Sequence, residues 1–270
     1  MNVHEPTELI SRVVPAVVVG AAGLYYLAFP RAFAAVRPYF WNLKLDEANR
    51  TRLDAVLDAR KDAENLPKWL GFLMGAVSLA LAALELVPSV TPVLPYALWC
   101  LAFAVMQLGA YFYFKRASEK RIAVLRVRRA FESLPLTVIV AQGIAIAALV
   151  GIAVAAAEPS ALLVAAAAAL TIWISWRIAN VPALILGNDV PVETFVDDRL
   201  RLMRAVNTAS LGIAPVVVYL GMRHVFTGGT VSLALSIVIL LAWLPSIAVM
   251  MRTNVGSGAA AQLNAALERA

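Results

Sequence analysis

Apolar residues in this chain gather into long unbroken runs instead of alternating with polar ones. Seven runs stand out, at approximately Val13–Phe29, Trp69–Val87, Val93–Phe114, Leu134–Ala157, Ala161–Trp176, Ala205–Met222 and Val231–Met251. The hydrocarbon core of a bilayer is about 30 Å thick, so a spanning helix needs roughly 20 mostly apolar residues. With no water inside that layer, each backbone amide must be satisfied within its own helix. The runs therefore predict an all-α integral membrane protein, a seven-helix bundle of one leading helix plus three hairpins. Residues 1–255 form its single polytopic transmembrane domain, and residues 256–270 a short cytoplasmic tail. A membrane β-barrel needs strands of about ten alternating residues, and Ala161–Leu170 does not alternate. Arg177 and Arg204 bound the fifth and sixth runs, so these spans are short or let the arginine snorkel to the headgroups.

The polar connections carry the orientation. Of 23 Lys and Arg, eight fall between Arg31 and Lys68, seven between Lys115 and Arg129 and four between Arg177 and Arg204. The alternate connections, Pro88–Pro92 and Glu158–Ser160, hold none, and Met222–Gly229 holds Arg223 alone beside His224. Cations in short loops stay on the cytoplasmic side, which predicts an amino terminus outside and a carboxy terminus inside. A cleavable signal peptide ending near Ala32-Phe33-Ala34 is the rival reading of the first run. Its leader pairs Glu5 and Glu8 against Arg12, a poor positive segment, and cleavage would put eight cations on the wrong side.

Composition agrees with the class. The 270 residues are 61% apolar and 15% charged, with a mean hydropathy of +0.79, far from the roughly half-apolar, quarter-charged average of soluble domains. The net charge of +6 and pI near 9.7 follow from orienting cations, which also attract anionic lipids, so membrane lipids are the expected partners and no nucleic acid is required. Cys100 is the single cysteine and has no internal partner for a disulfide. The Ala- and Arg-rich composition points to a bacterial inner membrane.

A shift of 68 residues aligns Ala55-Val56-Leu57 with Ala123-Val124-Leu125, Arg60 with Arg128, Glu64 with Glu132, Leu66-Pro67 with Leu134-Pro135 and Gly75 with Gly143. The unit reads as a juxtamembrane helix feeding a two-span hairpin. A third, weaker copy starts near Leu202-Met203-Arg204 and meets the membrane at Pro215. Units with an even number of spans share one polarity, the parallel repeat of some transporters. Two amphipathic helices that feed membrane spans also converge on such residues without duplication.

Candidate chemistry is sparse. The two histidines, His4 and His224, lie near predicted outer ends, which excludes haem ligation between helices, Cys/His zinc sites and a conventional catalytic triad. Gly228-Gly229 reads as a turn. Acids form the strongest pattern: Asp54, Asp58 and Asp62 recur every four residues on the helix before the second run, and Glu193 with Asp197-Asp198 precedes the sixth. Like charges four apart cost a helix a few tenths of a kcal/mol per pair, and Mg2+ carrying a lipid diphosphate would offset that. Two acidic clusters on one face resemble, in outline, those of the intramembrane prenyltransferases. This chain departs from that family in having fewer spans and lacking its Asn-Asp-led first motif. Local neutralisation is the simpler expectation: Arg50 with Asp54, Asp58 with Lys61, and Arg201 with Asp197 or Asp198 are helix neighbours.

Glu85, Gln107, Gln142 and Asn207 lie in or near the hydrocarbon, where polar groups are expensive and usually face the bundle interior. Glu85, three residues before Pro88, reads as interfacial more than as a proton relay, and Gln107 and Gln142 read as interhelical hydrogen-bond partners. Tyr39-Phe40-Trp41, Tyr111-Phe112-Tyr113-Phe114, Trp173 and Trp176 read as a cytoplasmic aromatic belt. Gly20, Gly23, Gly71, Gly75 and the Ala165–Ala169 run permit close helix approach within the bundle or in a homo-oligomer. Two functions follow. One is a non-enzymatic protein without a cofactor, either a small transporter or channel-like protein or the membrane subunit of a larger assembly. The other is a Mg2+-dependent enzyme acting on a lipid diphosphate at the cytoplasmic surface.

Overall fold

The structure, a computed structural model, describes residues 6–28, 45–63, 68–87, 91, 93–118, 136–181, 184–186, 189–255 and 264–265. All its elements are helices: α1 (Pro6–Ala28), α2 (Glu47–Ala63), α3 (Lys68–Glu85), α4 (Leu94–Ser118), α5 (Leu136–Ala155), α6 (Pro159–Ala179), α7 (Val190–Thr227) and α8 (Thr230–Val255). Each of the seven apolar runs lies on one of them. Five helices, α3 to α7, are long and apolar enough to cross a membrane, while α1 and α8 carry shorter apolar stretches at Arg12–Tyr25 and Thr230–Leu244. Of the proposed repeat, the second juxtamembrane segment lies outside the described residues, as do Tyr39-Phe40-Trp41, the Ala32-Phe33-Ala34 segment and most of the tail.

α6 and α7 form the centre. α6 packs on α4, α5 and α7; α8 covers α7 and α5; α1 lies along α3, which continues the layer through α4. Ala141, Ala145, Ala165, Ala168, Ala205 and Ala209 are all buried where these helices meet. Lipid tails are as apolar as leucine, so such helices associate through close van der Waals contact, which small side chains permit. At Gly212 of α7 a Cβ would stand 2.9 Å from the Thr171 Cβ of α6, and at Gly23 of α1 it would stand 2.9 Å from the Gly75 carbonyl oxygen of α3. The outer faces are the reverse: Val17, Phe72, Val154, Val231 and Leu241 are well exposed, as residues bathed in lipid are.

α7 differs from its expected form. It was expected to comprise a span beginning near Ala205 with an acidic segment before it, and it is one continuous helix of 38 residues that carries Pro215 inside. At 1.5 Å per residue it is about 57 Å long, nearly twice the hydrocarbon thickness. Asp189 caps its start by accepting from the Val192 amide at 3.4 Å, and Gly228, with φ of 66°, ends it by donating to the His224 carbonyl at 2.8 Å. α2 docks on the amino-terminal part of α7. Leu53, Val56 and Leu57 recur at helical spacing on one face of α2 and bury themselves with Val192, Val196 and Leu200.

Candidate functional site

Two polar networks sit at opposite ends of α7. At its amino-terminal end, Arg60 of α2 is fully buried. Its guanidinium donates to Asp197 Oδ1 at 3.2 Å, to the Glu193 carbonyl at 3.2 Å and to the Leu184 carbonyl. Asp197 also accepts from the Leu184 amide at 3.0 Å, and its other oxygen lies 2.7 Å from Arg201 Nε. Arg201 donates to the Val181 carbonyl at 2.7 Å, and the Glu193 carboxylate accepts from the Leu186 amide. The connection at 184–186 is thereby stitched between α2 and α7. Arg52 grips Asp189 with two hydrogen bonds of 2.7 and 2.9 Å, which hold that carboxyl below the usual range.

The acids named as alternative Mg2+ ligands take the following positions. Asp54 lies 3.9 Å from Arg50 at the surface, Asp58 is exposed, Asp198 lies 3.6 Å from Arg201, and the Asp62 side chain lies outside the described residues. Asp197 faces inward onto two arginines. Among the described residues no group of three or more His, Cys, Asp and Glu is placed to hold a metal ion.

The second network occupies the other end and was not foreseen. Glu158 precedes α6, where the helix dipole favours an anion. Its Oε1 accepts from Tyr219 at 2.9 Å and Ser160 at 3.0 Å, and its Oε2 accepts from Arg223 Nε at 2.7 Å. Burial opposes ionisation of Glu158, but the hydrogen bonds from Arg223, Tyr219 and Ser160 outweigh it and hold the carboxyl below the usual range. Arg223 reaches on to Ser232 Oγ at 2.6 Å, and His224 Nδ1 lies 3.0 Å from the Gly229 carbonyl oxygen. The one trace in sequence was an isolated acid and an isolated cation in connections otherwise free of charge.

Beside this network opens a cleft of about 1150 Å³, a size that accepts a small organic molecule. Arg12 of α1, Val93 and Leu94 at the start of α4, Ala157 and Glu158 between α5 and α6, and Phe226 near the end of α7 line it. Ala157 holds a left-handed φ of 50°, a conformation that costs a residue with a Cβ. Arg12 also donates to the carbonyls of Glu85 at 3.3 Å and Val87 at 3.0 Å, closing the carboxy-terminal end of α3.

The four polar residues expected in the hydrocarbon take different roles. Gln142 is buried and donates its amide to the Ala209 carbonyl, an interhelical bond as expected. Gln107 is buried at the α4 position facing the bundle, and Asn207 is half-buried on α7. Glu85, the last residue of α3, is only 3% exposed and is turned inward beside Tyr96 of α4. No protein-family model matches the chain, and neither the curated proteins nor the solved structures contain a significant match.

Proposed function

We propose that this multi-pass membrane protein crosses the membrane seven times, with its amino terminus outside a bacterial inner membrane, and carries a small solute. The observation that supports this reading is the asymmetry between the two ends of α7. One end bears an open cleft; at the other, Arg60, Asp197 and Arg201 tie α2 onto α7. The cation bias of the loops supports an outside position for the cleft and an inside position for the clasp. A carrier exposes its site to one side at a time, and a cleft open at one end is what an outward-facing state would present. The cleft is lined mainly by apolar residues, and its acid is already neutralised by Arg223, so it suits a near-neutral amphipathic solute.

The test combines labelling with uptake. In a Cys100→Ala background, an impermeant maleimide applied to intact cells should label Ala156→Cys at the cleft and leave Leu57→Cys under the clasp unlabelled. Proteoliposomes should then take up at least one of a panel of labelled amphipathic metabolites faster than protein-free vesicles, and Ala156→Trp should abolish the excess. Uptake equal to that of protein-free vesicles for the whole panel would overturn the carrier and leave the membrane-subunit role. Labelling of Ala156→Cys only after the membrane is opened would reverse the orientation.

A further inference from the structure

Glu85 is the one acid inside an apolar run, and it sits at the end of α3 with its side chain turned into the bundle. Neither carboxyl oxygen has a hydrogen-bond partner, and neither has the hydroxyl of Tyr96, a fully buried neighbour on α4. The two groups interact without forming a well-shaped hydrogen bond. Among the described residues, the charged and titratable groups facing Glu85 are Tyr96 from α4 and Arg12 from α1. Arg12 spends its guanidinium on the carbonyls of Glu85 and Val87, not on the carboxyl.

An ionised carboxylate left in such a place, with only the Tyr96 hydroxyl beside it, carries a large desolvation penalty. Protonation removes that penalty. A metal cation does not fit, since hard cations gather about six oxygen ligands and the pocket offers one carboxyl and one phenol. We propose that Glu85 is a proton-binding site that exchanges with the outer cleft past Arg12. The carboxylic acid releases its proton to water in the cleft and becomes a carboxylate. The new anion draws the Arg12 guanidinium from the Val87 carbonyl, so proton release moves a residue of the cleft wall. The site does not depend on the carrier reading, although it would couple a carrier to the proton gradient.

Infrared spectroscopy of the purified protein in lipid nanodiscs tests the proposal without any solute, so its failure is separate from a failure of uptake. The expected result is a protonated-carboxyl C=O band in neutral buffer that Glu85→Gln removes, Glu85→Asp displaces and Tyr96→Phe shifts. The band should titrate away in alkaline buffer, with a midpoint that Arg12→Gln moves. A carboxyl band unaltered by Glu85→Gln would overturn the proposal. Should Glu85→Gln fail to fold, a band that Glu85→Asp leaves in place would do the same. A midpoint unchanged in Arg12→Gln would remove Arg12 from the mechanism.

Discussion

Arg60 and Asp197, 137 positions apart, meet at 3.2 Å in the interior of the α2–α7 clasp, the arginine without any exposed surface. A buried guanidinium needs acceptors, and Asp197 accepts from its Nη1 while the carbonyls of Leu184 and Glu193 accept from its Nη2. The apolar stripe of Leu53, Val56 and Leu57 brings the pair together by burying α2 on α7.

Removing Arg60 leaves Asp197 paired with Arg201 but strips the buried carbonyls of Leu184 and Glu193 of their donor. Arg60→Ala should therefore destabilise the clasp by about 1–3 kcal/mol. Thermal unfolding in detergent should register the loss, and hydrogen exchange should rise over α2 while staying slow in α5 and α6. Asp197→Leu should cost more than Arg60→Ala, because it takes from both Arg60 and Arg201 the carboxylate they share.

Acid should weaken both ends of α7. Glu158 and Asp189 have folded pKa values below the ordinary range, so the stability they add is present above about pH 4 and is lost as pH falls through the lower folded values. Unfolding temperature measured from neutral to strongly acidic buffer should fall in that window. Glu158→Gln and Asp189→Asn should start lower at neutral pH and lose less on acidification.

Gly212→Ala should cost about 1–3 kcal/mol, since the added methyl runs into Thr171. Thr171 cannot rotate away cheaply: its χ1 is stiff, and its hydroxyl donates to the Ala167 carbonyl at 2.8 Å. Gly143→Ala meets nothing within 4 Å and should be neutral or stabilising by up to about 1 kcal/mol. Unfolding midpoints of the two variants, measured side by side, separate packing from helix propensity.

Ala157→Gly should stabilise the turn between α5 and α6 by about 1 kcal/mol, because glycine adopts the left-handed conformation without the Cβ clash. A raised unfolding temperature in detergent with unchanged labelling of the neighbouring cleft is the expected outcome.

Local features were legible before any tertiary contact was known. The apolar runs coincide with helices, and Arg50 with Asp54, Asp197 with Arg201 and Asp198 with Arg201 pair as helix neighbours should. The Asp58–Lys61 pairing concerns a lysine side chain outside the described residues. Arg52 and Arg60 lie on the same helix as Asp54 and Asp58, yet each reaches across to the start of α7. Glu85 stands at the end of its run, and the rotation of α3 turns its side chain inward.

The sequence by itself determined the membrane class, the helices and the distribution of cations, because partition into a bilayer depends on the apolar length and charge of each segment taken separately. Only the tertiary structure decided which charges meet. Glu158 found Arg223 and Tyr219, and Arg60 found Asp197, because small-residue packing and the apolar face of α2 fix the rotation and height of each helix. Those two variables leave no mark within any single segment, and they place one buried ion-pair network, one open cleft and one buried acid on the same bundle.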